Sequence, residues 1–115
     1  MSFPLVAWIW LSSAIVFEVI GTTALKASQT FTHLIPSVVM VVAYGLSLYM
    51  LTHAMRYMPV AVTYSFWAGL GMIFILITSM VVFKEIPDLP AIIGVALIIA
   101  GVILISGYSQ MTVHQ

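Results

Sequence analysis

Four apolar runs, each close to the roughly 20 residues that a helix needs to cross a bilayer, fill nearly the whole chain. They predict helices over about residues 4–25, 34–54, 59–83 and 88–108. The first stops near Lys26-Ala27-Ser28-Gln29. Thr32 and Pro36 mark the start of the second, since proline is tolerated in a first turn. The third follows Arg56-Tyr57-Met58 and starts at Pro59. The fourth follows Lys84-Glu85-Ile86-Pro87, with Asp88 as its expected cap and Pro90 in its first turn. The breaks are short, so successive helices are expected to lie side by side and antiparallel.

Composition agrees with this reading. The 115 residues are 63% hydrophobic and 5% charged, with a mean hydropathy of +1.24. A soluble domain carries roughly 25% charged residues. The expected fold class is an all-α membrane protein, a single four-helix transmembrane domain over residues 1–115. The n-region Met1-Ser2-Phe3-Pro4 lacks Lys and Arg, which fits a cleaved signal peptide poorly. Zero net charge argues against nucleic acid as a partner. The absence of cysteine removes disulfides, thiol catalysis and cysteine metal sites. His33, His53 and His114 are far apart, so no metal site is expected. Ser12 and Ser13 lack a Ser/His/Asp arrangement, and no phosphate-binding glycine loop is present, so the chain does not read as an enzyme.

One residue breaks the pattern. Glu18 is the only charged side chain between Ser2 and Thr23. A carboxylate in hydrocarbon needs a polar cavity, a partner or a proton. A group that exchanges a proton and attracts cations when bare is a basis for transport. The blander reading is a structural acid paired with Lys26, although Lys26 is better placed to reach the interface. At helical spacing Glu18 neighbours Leu11, Ala14, Ile15, Gly21, Thr22 and Leu25.

Tyr64 and Trp67 share a helical face, and rings beside a carboxylate suit lipophilic or planar cations. Tyr44 and Ser47 could add a ring and a hydroxyl. Interface anchoring is the alternative for any lone aromatic; it accounts for Trp8, Trp10, Tyr57 and Tyr108, and His33 and His53 are also expected near the interface. The expected cation site is Glu18 with Trp67, Tyr64, Tyr44, Ser47, Thr22, Ala14 and Leu11. Gly69 and Gly71 permit a bend or close packing. Gly94 and Gly101, two turns apart, mark a helix–helix contact, either between subunits or within one.

Four short helices would leave a polar cavity partly open to lipid, so a homodimer of eight helices is expected. Arg56 lies on one side, and Lys26 and Lys84 on the other. This leaves almost no positive-inside bias. Such a chain could insert both ways up, which favours an antiparallel dimer.

The run Glu18-Val19-Ile20-Gly21-Thr22-Thr23 followed by Lys26, then Pro36-Ser37, then Tyr64-Ser65-Phe66-Trp67-Ala68-Gly69-Leu70-Gly71, then Leu89-Pro90-Ala91-Ile92-Ile93-Gly94 with Ala100-Gly101, resembles the small multidrug resistance family. The resemblance covers roughly Trp8 to Ser106 and is greatest to the quaternary-ammonium branch. It implies an antiparallel homodimer in a bacterial plasma (inner) membrane that exchanges protons for organic cations, with no other cofactor. It implies that Glu18 is the embedded glutamate, Trp67 the stacking tryptophan, and Tyr64 and Tyr44 binding tyrosines. Gly21-Thr22-Thr23 stands where the guanidinium-exporting branch carries a tryptophan. Phe17, Lys84-Glu85, Ser65-Phe66 and Trp8 depart from the multidrug pattern, so export of guanidinium-like cations stays open as the alternative. A small membrane subunit that does not transport is the third reading.

Overall fold

The computed structural model describes residues 3–108. His114 and the polar tail lie outside the described residues. Four helices are formed: α1 (Leu5–Ala27), α2 (Leu34–Ala54), α3 (Val60–Val82) and α4 (Leu89–Tyr108). The described residues contain no strand. All four helices are long and apolar enough to cross a membrane.

The helices form a row rather than a closed bundle. α1 packs against α2 on one side and α3 on the other, and α4 packs against α3. The row is 44 × 34 × 19 Å, thinner than two helix diameters. This corrects the expectation that each helix packs on its sequence neighbour, because α3 takes its place against α1 instead of α2. The cause lies in α1. Its buried residues Ala7, Leu11, Ala14, Ile15, Gly21 and Ala24 recur at helical spacing and are mostly small. A helix with so little side chain on its inner face can be approached closely by two neighbours. The core gathers Leu11 and Ile15 of α1, Leu51 and Ala54 of α2, Met58 of the next connection and Val62 of α3.

Each connection is fastened by local hydrogen bonds. Ser28, fully buried, donates its hydroxyl to the Leu25 carbonyl at 2.7 Å and accepts the Phe31 amide at 3.1 Å. Its carbonyl accepts the amides of Thr32 and His33. These bonds hold Gln29, Thr30 and Phe31 at φ of 48°, 64° and 62°, a region that a β-branched residue such as Thr30 rarely enters. After α2, Thr63 returns its hydroxyl to the Pro59 carbonyl at 3.0 Å. Asp88 caps α4 as expected, accepting the Ala91 amide at 3.0 Å.

The glycines divide by position. A Cβ on Gly69 would lie 2.8 Å from Val102 Cγ2, so Gly69 is the close-approach point of α3 on α4. A Cβ on Gly94 or Gly101 would meet nothing within 4 Å, and no residue of α4's most apolar stretch is buried. α3 runs unbroken through Gly69 and Gly71. Gly69→Val is therefore expected to push α4 away at a cost of about 1–3 kcal/mol. Gly94→Ala and Gly101→Ala should change the stability of the isolated subunit by less than about 0.5 kcal/mol. Thermal unfolding in a detergent that holds the protein monomeric separates the two classes.

Candidate functional site

Glu18 projects from the middle row of α1, on the stripe that carries Ala7, Leu11, Ala14 and Gly21. One turn along, Thr22 donates its hydroxyl to Glu18 Oε1 at 3.0 Å. Thr22 Oγ1 also lies 2.5 Å from the Tyr44 hydroxyl of α2. Thr22 has one proton to give. While it gives that proton to Glu18, Tyr44 must donate to Thr22. The three groups form a directed chain, Tyr44 to Thr22 to Glu18.

Gly21 makes this chain possible. The Tyr44 ring lies over it, and a Cβ there would sit 2.6 Å from Tyr44 Cδ1 and 2.8 Å from Cε1. Gly71 does the same for the carboxylate: its absent Cβ would stand 3.1 Å from Glu18 Oε2. That second oxygen is buried and has no hydrogen-bond partner. The indole nitrogen of Trp67 is likewise buried and unpartnered. Leaving a buried polar group unsatisfied costs about 1–3 kcal/mol, and more when it is charged. An orphaned acceptor and an orphaned donor in one place mark a site that something else completes.

Two cavities meet at these groups. One, of about 270 Å³, is walled by Glu18, Thr22, Tyr64, Trp67, Gly71 and Ile75, among others. The other, of about 160 Å³, is walled by Glu18, Tyr44, Ser47, Leu48 and Trp67. Tyr64 stands edge-on to Trp67, ring centres 5.4 Å apart at 67°. A carboxylate oxygen with a free lone pair beside these two rings offers a cation charge attraction and π faces together.

The expected site residues thus separate into two groups. Glu18, Thr22, Tyr44, Tyr64, Trp67 and Ser47 come together around the cavities. Leu11 and Ala14 do not; both are buried in the α1 core and line neither cavity. The stripe that carries Glu18 also packs α1 on α2, so the same face is core at one level and cavity at another. Ser47 is committed as well, donating to the Ala14 carbonyl at 2.6 Å. It braces α2 on α1 from the cavity wall.

Gly21, Leu48, Ala68, Met72 and Ile75 join the site beyond the expected residues. Tyr64, Trp67, Ala68, Gly71, Met72 and Ile75 follow one helical face at spacings of three and four. That periodicity is legible in the sequence. Nothing local to Gly21 announces that Tyr44 will cover it.

Lys26, the alternative partner for Glu18, is bound elsewhere. It pairs with Glu85 of the α3–α4 connection and lies 4.9 Å from the centre of the Phe83 ring. Near the row's other end His53 stacks on Trp10, ring centres 4.3 Å apart, with Tyr49 edge-on. No group of His, Cys, Asp and Glu among the described residues could hold a metal ion.

Comparison with known proteins supplies the family. The description Small Multidrug Resistance protein matches residues 6–98. The chain belongs to the small multidrug resistance family. It is 43% identical to the multidrug transporter EmrE of Escherichia coli (strain K12), over 93% of this chain and 97% of the relative. It is 41% identical to the quaternary ammonium compound-resistance protein QacF of Klebsiella aerogenes over the same shares. QacC of Staphylococcus aureus, named likewise, is 40% identical over 84% of this chain and 90% of its own length. With its four spans, this member of the family is a multi-pass membrane protein.

Gly21→Ala is expected to displace the Tyr44 ring and break the Tyr44–Thr22 bond, destabilising the protein by about 1–3 kcal/mol. In a Tyr44→Leu background most of that cost should vanish. A double-mutant cycle of unfolding free energies checks the coupling.

Proposed function

We propose that this chain is a proton-coupled antiporter that exports hydrophobic or quaternary ammonium cations. The observation that carries the reading is the carboxylate of Glu18: one oxygen held by Thr22, the other unpartnered in a cavity faced by Trp67 and Tyr64. A cation entering that cavity gains the free oxygen and the two rings. A proton arriving on the carboxylate removes the charge that held it. Proton and cargo compete for one group, so exchange is coupled without a separate engine. The names of the relatives, a multidrug transporter and resistance proteins for quaternary ammonium compounds, support the cargo class. The chain performs no catalysis in this reading and uses no cofactor beyond the proton.

Thr22 and Tyr44 give the exchange a local sensor. With Glu18 bare, hydrogen bonds run from Tyr44 through Thr22 to the carboxylate. With Glu18 protonated, the carboxyl becomes a donor and the direction can reverse. The Tyr44 hydroxyl is then freed or turned within the smaller cavity, where a bound cation would feel the change.

The working unit is an antiparallel homodimer in a bacterial inner membrane. Three features of the subunit support a second copy: a row one layer thick, an α4 without buried residues in its most apolar stretch, and open space beside Gly94 and Gly101 where a Cβ would stand. In an antiparallel pair the inward and outward states are near mirror images, so alternation costs little net free energy. The smaller cavity, about 160 Å³, also favours a second reading in which guanidinium-like cations are the cargo.

The test uses purified full-length chain in proteoliposomes with an imposed pH gradient. Benzyltrimethylammonium and guanidinium are offered separately. Gradient-driven uptake of the aromatic cation is expected, and Glu18→Gln should reduce it to the level of protein-free vesicles. Uptake that persists in that variant sinks the role of Glu18; uptake of guanidinium alone selects the second reading. Reporter fusions at the carboxyl end should mark both sides of the membrane in comparable amounts. One strongly preferred side would remove the antiparallel arrangement.

A further inference from the structure

A third cavity, of about 90 Å³, lies beyond the Glu18 site towards the α3–α4 connection. It shares two walls, Thr22 and Ile75, with the larger Glu18 cavity. Its remaining walls include Thr23, Thr78 and Ser79, and its outer end is formed by Lys26, Glu85 and Phe83. Beyond Thr22 the cavity thus carries three further hydroxyls. Thr23 donates to the Val19 carbonyl at 2.8 Å and Ser79 to the Leu76 carbonyl at 2.8 Å. Their protons are spent within their own helices, but their oxygens still accept. The α3 face that begins with Tyr64 and Trp67 thus continues through Ile75 and turns polar at Thr78 and Ser79, one turn before the helix ends at Val82.

At the mouth, Lys26 pairs with Glu85, and both side chains are about half exposed, at 54% and 49%. Phe83 lies under the ammonium group. Glu85 is brought there by the turn after α3, in which Lys84 takes a φ of 59° and the Glu85 amide bonds the Ser79 carbonyl at 3.0 Å. An ion pair exposed to this degree is weak and opens readily. It closes the opening without sealing it.

We propose that this cavity is a hydrated proton route between Glu18 and the membrane face that bears the end of α1, with the Lys26–Glu85 pair as its removable plug. The inference rests on the exchange reading above and names how protons reach its carboxylate. Liquid water occupies roughly 30 Å³ per molecule, so about 90 Å³ accommodates a short file of waters, against the roughly 270 Å³ of the larger Glu18 cavity. A proton enters by hopping: each water or hydroxyl accepts one proton and releases another, and the last is taken by the Glu18 carboxylate through the Thr22 hydroxyl. Lys26 and Glu85 hold each other across the mouth, so losing either partner leaves the opening without its plug. Cargo uses the larger cavity; protons have a door of their own.

The experiment measures proton flux into proteoliposomes of the full-length chain, with a trapped pH dye and no organic cation present. Lys26→Gln and Glu85→Gln should each raise this flux roughly two- to fivefold, the factor by which an exposed ion pair of ordinary strength biases an equilibrium. The exchanged pair, Lys26→Glu with Glu85→Lys, should return the flux towards wild type. In a Glu18→Gln background neither single change should raise it, because the route ends on that carboxylate. Ser79→Leu, which fills the cavity, should slow benzyltrimethylammonium-driven proton release. Its binding of the same cation, read by tryptophan fluorescence, should stay at wild-type affinity, which also reports that the variant is folded. Unchanged flux in both single variants overturns the route, as does a rise that survives Glu18→Gln. Absence of cation-driven proton release from the wild-type chain would remove the exchange itself, and the route with it.

Discussion

A carboxylate among apolar helices cannot be left to itself, and the rest of this structure is organised around that demand. Moving an ionised group into a medium of low dielectric carries a penalty that hydrogen bonds only partly offset. Here the help is partial: Thr22 serves one oxygen and the other has no donor. The incomplete solvation is the useful part. A fully satisfied carboxylate would be a structural fixture, indifferent to what enters the cavity. One satisfied on a single side remains available to a proton or a cation.

Holding that balance requires backbone surfaces brought unusually close. Gly21 admits the Tyr44 ring, Gly71 admits the carboxylate, and Gly69 admits Val102. Each glycine does a different task at the same kind of price in side-chain contacts. Between helices in lipid there is little hydrophobic driving force, so close packing and interhelical hydrogen bonds must bind them. The Ser47–Ala14 bond and the Tyr44–Thr22 bond join α1 to α2 on either side of Glu18. The site and the helix interface are therefore one set of contacts.

The sequence makes the four spans and the central acid plain, because length, hydropathy and a lone charge are local properties. The Asp88 cap and the Pro59 start of α3 are local too, and both are found. What needs three dimensions is harder to read. Helical spacing places Leu11 and Ala14 beside Glu18, yet cannot say that α2 covers them at that level and leaves a cavity one turn along. Short connections suggest that neighbours in sequence pack together, but the small face of α1 draws α3 past α2. Gly21 is conspicuous only once Tyr44 is seen lying on it. The family resemblance, carried by motifs spread over the whole chain, agrees with the matched region at residues 6–98.

The buried serine after α1 has a bearing on how the molecule comes to exist. Ser28 ties the α1–α2 connection with bonds to Leu25, Phe31, Thr32 and His33. The most extensive helix contact in the chain is the one this knot joins. Every bond of that knot is made by residues that precede α3 in the chain. A hairpin so fastened can settle in the bilayer as a finished pair while the ribosome is still making α3, which then finds a prepared docking edge. Such a start keeps the acid beside Thr22, its donor, and Tyr44, which supports Thr22 in turn.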